Sequence, residues 1–191
     1  SGADGAYVRF AARSMADPAH RAELAALFDR LDAANDQGAA AQPALALEEA
    51  RRYLGGLAVL HGNTTAGKMD RRALAPSPGA YLNPAAGAAC QGNYVLIIGS
   101  GPPGASDAAA ALPFASALNG GAAPAQLVLP PPYPAPPLAS SQDAAGNWTD
   151  EYAALLRRAP YPSSAPGSAE APVNGIVTYA IAVHDPQRHP G

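Results

Sequence analysis

Tyr94-Val95-Leu96-Ile97-Ile98-Gly99-Ser100-Gly101-Pro102-Pro103-Gly104 joins the strongest strand candidate of the chain to a dense run of turn formers. Five apolar side chains without alternation predict a strand buried on both faces, as in the middle of a parallel sheet. The glycines and prolines end it, and a helix is expected from Ser106 to Leu118, interrupted at Pro113. Downstream, Thr149-Asp150-Glu151 caps a short helix through Leu155 and Leu156. Val173 to Val183 is the last strand, with Ile176, Thr178, Ala180 and Ala182 alternating with Val177, Tyr179, Ile181 and Val183.

Upstream of the central strand, a helix is expected from Pro43 through Leu47, Ala50 and Leu54, stopped by Gly55-Gly56. Its exposed side should carry Glu48, Glu49, Arg51 and Arg52. Asp17-Pro18 marks an earlier helix start, followed by a stripe of Leu24, Leu27, Phe28 and Leu31 that Asn35 to Gly38 closes. Tyr7-Val8-Arg9-Phe10 alternates as a short strand would. Strand, helix, helix, strand, helix, strand is an α/β order, most simply a mainly parallel sheet flanked by helices. We therefore expect a single domain over residues 1–191, with irregular loops at about 61–89 and 119–147.

Composition sets what this frame can hold. The chain is 48% hydrophobic but only 6% aromatic, and alanine alone supplies about a quarter of it. Methyl groups bury little area, so the core is small for the length. Proline and glycine together make up about a fifth of the residues, which favours a compact centre with irregular excursions. The run Pro130-Pro131-Pro132-Tyr133-Pro134-Ala135-Pro136-Pro137 favours polyproline II and cannot sit inside a sheet. A net charge of −3 argues against nucleic acid, which needs a basic face to displace counterions. No apolar run reaches the length of a membrane span. No signal peptide is recognisable, and a start at Ser1-Gly2-Ala3 reads as a mature or excised piece. The single Cys90 cannot close an internal disulfide, although another segment or chain could pair with it.

The glycine turn admits two readings. Gly99, Gly101 and Gly104 fit G-x-G-x-x-G directly after a strand, a turn that lets a pyrophosphate approach the backbone and a helix N-terminus. In this respect the stretch resembles FAD- and NAD-binding oxidoreductases. The following candidate strand, Gln126-Leu127-Val128-Leu129, ends in prolines, without the acid that would hold the ribose hydroxyls. Asp107 also lies close to where the phosphates would sit.

The other reading spans more of the chain. Tyr81-Leu82-Asn83-Pro84 and Cys90-Gln91-Gly92-Asn93-Tyr94-Val95-Leu96-Ile97-Ile98-Gly99-Ser100-Gly101-Pro102-Pro103 form part of it. Gly38 to Ala50, Trp148-Thr149-Asp150-Glu151-Tyr152-Ala153 and Val173-Asn174-Gly175-Ile176-Val177-Thr178-Tyr179-Ala180-Ile181-Ala182-Val183 complete it in order. Together these resemble the von Willebrand factor A-like domain of PilC-type type IV pilus tip proteins. The resemblance implies a Rossmann-like sheet, incomplete here at both ends because a first strand and a final helix are missing. It implies a non-enzymatic protein-binding module, exported to the pilus tip or bacterial cell surface, that acts in pilus assembly and surface attachment. Minor pilins, other pilus-tip components and a host surface are the partners it implies.

Such domains bind a divalent cation through an Asp-x-Ser-x-Ser loop, a Thr and the Asp of Thr-Asp-Gly. Hard cations need carboxylate oxygen. The chain has no Asp-x-Ser-x-Ser, Gln42 stands near the Thr position, and Ser100 stands where the Asp would be. The metal site is therefore expected to be degenerate, with no cofactor, unless Asp107 or Asp36 substitutes for the lost ligands. His61, His184 and His189 lack metal-ligand spacing with one another or with Cys90. Ser100 lacks the G-x-S-x-G setting of a hydrolase nucleophile, and Cys90 has no neighbouring base in sequence. The triplets Asn63-Thr64-Thr65 and Asn147-Trp148-Thr149 match the glycosylation pattern, which short sequences often meet by chance. The polyproline stretch reads as a rigid surface excursion or as a ligand for an aromatic groove.

Overall fold

Local chemistry places the helix starts. Asp17 caps α1 (Pro18–Asp29): its carboxylate accepts from the Ala19 N–H at 2.8 Å, and Pro18 occupies the first turn, where its missing donor costs nothing. α2 (Pro43–Gly55) also starts on proline and ends at Gly56, whose φ of 62° suits glycine. A single 3-10 turn (Arg71–Ala73) is capped by the Asp70 carboxylate. After β1 (Asn93–Gly99) comes α3 (Ala105–Leu118), then α4 (Thr149–Arg158) and β2 (Ile176–Ala182). Asp150 and Glu151 in the first turn of α4, with Arg157 and Arg158 in its last, complement the helix dipole.

This is a computed structural model, and it describes residues 5–32, 36, 42–62, 67–76, 79–84, 86, 92–99, 105–125, 148–158 and 175–182, without the side chains of 105–109 and 182. Within them the fold is an α/β arrangement with a two-stranded parallel sheet, Asn93 opposite Ile176 and Gly99 opposite Ala182. α2 packs on β1, α4 packs on β2, and α2, α3 and α4 pack on one another. Ala44, Leu47, Ala111, Ala115, Tyr152, Leu156 and Ile176 form the main core, flanked by Val95, Ile97 and Phe114. A second cluster gathers Ala11, Ala73 and Tyr81 with Val8, Tyr53 and Met69 around them.

Several expectations need correction. Tyr7 to Phe10 is not a strand: Val8 accepts a hydrogen bond from the Asp70 N–H at 2.8 Å, and Arg9 pairs with Asp36. α1 stops at Asp29, and its stripe is not buried, since Phe28 and Leu31 stand exposed. α3 continues across Pro113, with Ala111 and Ala115 fully buried on either side. Packing of that face outweighs a proline cost of about 3 kcal/mol. The segment 61–89 is irregular where it is described, as expected of a loop, apart from the 3-10 turn and isolated antiparallel bridges that join Ala80 to Ala58 and Tyr81 to Leu74. Cys90, the polyproline run, His184, His189 and the third strand candidate at 126–129 lie outside the described residues.

Candidate functional site

Parallel pairing puts opposed residues on the same face, so each row of the sheet has a defined side. Asn93 and Ile176 lie on the inner face, as do Val95 with Thr178 and Ile97 with Ala180. The outer face carries Tyr94 with Val177, Leu96 with Tyr179 and Ile98 with Ile181. The expectation that the central strand is buried on both faces therefore fails: burial alternates along β1. Among the described residues the helices packed on the sheet cover only the inner face. Tyr94, Leu96, Ile98, Tyr179 and Ile181 are each at least 50% exposed. The Tyr94 and Tyr179 rings stack at 6.5 Å with an interplanar angle of 21°. Among the described residues this is a contiguous apolar and aromatic surface with no charged group in it, the composition of a protein-contact patch.

Glu48 and Glu49 do not line an exposed helix side; both are buried. Arg51 grips Glu48 with two bonds of 2.7 and 2.8 Å, Arg52 adds one of 2.6 Å, and the Tyr152 hydroxyl donates from α4. Burial is the largest influence on the Glu48 carboxyl and pushes it up. The bonds from Arg51, Tyr152 and Arg52 together outweigh burial and hold the group below the usual carboxylate range. Glu49 accepts from the Tyr81 hydroxyl, from Leu60 N–H at 3.3 Å and from His61 N–H at 2.9 Å. With its bonding capacity taken up inside the protein, this pair anchors helices and loops and presents no carboxylate to a substrate.

Burial first, and then the acids beside them, raise the Tyr81 and Tyr152 phenols well above their ordinary value of 10.0. Above pH 10 the unfolded chain releases these protons while the native protein keeps them. Stability is thus expected to fall as pH rises beyond 10, by about 1.4 kcal/mol per pH unit for each phenol. Urea midpoints at pH 9 and pH 11 measure the slope, and a Tyr81→Phe/Tyr152→Phe variant should flatten it. Equal midpoints for the wild type would show that the phenols are not held protonated.

Gln42 precedes α2 as its cap residue, with no side-chain capping bond. Gly99 ends β1, and a Cβ there would meet nothing within 4 Å. Ser100, Gly101 and Gly104 lie outside the described residues, as does the Asp107 side chain. Asp36 is occupied by Arg9 and by Lys68 at 2.8 Å, the wrong surroundings for a metal ligand. Among the described residues, no three His, Cys, Asp or Glu side chains group as a metal site would require. Nor is any helix there long and apolar enough to cross a membrane. Comparison of the chain with protein-family models, curated proteins and solved structures finds no match.

Proposed function

We propose that this chain is a non-enzymatic protein-binding module that meets its partner through the outer face of the β1–β2 sheet. The observation that carries this is the row of exposed apolar residues on that face, from Tyr94 to Ile98 on β1 and from Tyr179 to Ile181 on β2. Stiff strands hold these side chains in place, so docking orders little new chain. The partner we assign is a type IV pilus-tip component, a minor pilin above all, which would place the protein at the pilus tip or cell surface after export. That assignment rests on the resemblance to von Willebrand A-like pilus-tip domains, with Asn93 to Pro103 and Val173 to Val183 as its main stretches. The parallel β1–β2 pair supports the reading by matching the strand direction such a domain requires.

The test is direct binding between the purified chain and purified minor pilins by interferometry. The wild type is expected to bind, and Leu96→Glu or Tyr179→Glu to weaken binding about tenfold or more while the melting temperature holds. Failure of the folded wild type to bind any minor pilin would sink the pilus assignment. Binding unaffected by either substitution would sink the sheet face as the contact.

A further inference from the structure

Half of the Lys and Arg residues of this net-acidic chain converge on one region. Residues from the N-terminal segment, α1 and the 3-10 turn surround a cavity of about 410 Å³. Five basic side chains line it: Arg9, Arg30, Lys68, Arg71 and Arg72. Arg13 stands behind them, tied to Glu23 at 2.6 Å and to Asp70. That brings six of the chain's twelve basic residues together.

Among the described residues, three carboxylates answer these six cations, and each is already shared. Asp36 holds Arg9 and Lys68, Asp70 holds Arg13 and Arg72, and Glu23 holds Arg13 and Arg72. Among the described residues, neither Arg30 nor Arg71 has a carboxylate partner. Arg30 is steered by a 2.9 Å bond from its Nε to the Ala26 carbonyl, which leaves its two terminal nitrogens to other acceptors. Gathering surplus positive charge around a concave space costs self-repulsion, and a bound anion relieves it.

We infer that this cavity is a binding site for a small phosphate-bearing molecule carrying at least two negative charges. Guanidinium forks match phosphate oxygens in pairs, and Lys68 adds a compact charge. The volume suits a small organic phosphate. Leu27, Phe10 and Met69 supply apolar wall for the remainder of the ligand. The site shares no residue with the sheet face, so its occupancy and the pilin contact are separable.

Calorimetric titration with pyrophosphate tests the inference, run on the whole chain at low ionic strength. The wild type is expected to bind, and Arg30→Gln/Arg71→Gln to lose about tenfold or more in affinity. Arg157→Gln/Arg158→Gln, on exposed positions of α4, removes the same charge elsewhere and should leave affinity unchanged. Thermal melts confirm that both variants fold. No binding by the wild type at millimolar pyrophosphate would overturn the inference, as would equal losses in the two variants. Phosphatidylglycerol vesicles form the second arm. Binding to vesicles without binding to pyrophosphate would also overturn it, by pointing to a lipid headgroup at a flat surface.

Discussion

Glu48→Ala is expected to destabilise the protein by about 3–5 kcal/mol, the range for breaking a buried charge pair on one side only. Its carboxylate receives Arg51, Arg52 and the Tyr152 hydroxyl. Removing it strands two guanidiniums beside each other at the edge of the core and leaves a phenol buried with no acceptor. Glu48→Gln keeps an acceptor of the same shape and should cost less, about 1.5–3 kcal/mol. Replacing Glu48, Arg51 and Arg52 together by methionine should recover part of the loss, since no charge is then left buried alone, while the Tyr152 hydroxyl still lacks its acceptor. Urea unfolding followed by circular dichroism gives all three values. A Glu48→Ala variant within about 1 kcal/mol of wild type would show that this network does not hold α2 to α4.

Gly175→Ala carries the other large effect. A Cβ at Gly175 would lie 2.2 Å from the Arg157 carbonyl oxygen and 2.5 Å from that of Leu156. Both contacts are backbone of the last turn of α4, so no side chain can swing aside. Either α4 or the entry to β2 must move, and Ile176, fully buried next in sequence, moves with it. A loss of about 3 kcal/mol or more is expected, at the upper end for an overpacked site. Gly99→Ala is the matched control at the opposite end of the sheet. Its added methyl meets open space, and its effect should stay within about 0.5 kcal/mol. If the two variants melt together, Gly175 is not a point of close backbone approach.

Helix positions were legible because their signals are local. Asp17-Pro18, Pro43 with Gly55-Gly56, and Thr149-Asp150-Glu151 each carry their own start or stop. Both strands of the sheet were legible from apolar runs. Which face of β1 is covered was not legible, because an unbroken apolar run looks the same whether one side or both is packed. The burial of Glu48 and Glu49 was hidden for another reason. Arg51 and Arg52 at three and four residues on are visible as helix-surface partners, but Tyr152 and Tyr81 arrive from distant sequence. The same holds for the basic cavity, whose members span Arg9 to Arg72 and show no run of like charge.

Successive residues on a helix point about 100° apart, so the adjacent acids of α2 look out on different neighbours. Glu48 holds Tyr152 in the main core, and Glu49 holds Tyr81 in the smaller cluster. Neither cluster is large enough in alanine-rich sequence to stand securely by itself. One helix with two consecutive glutamates rivets them together, so opening either half pulls on the same pin. The molecule should come apart as one cooperative unit rather than in two stages.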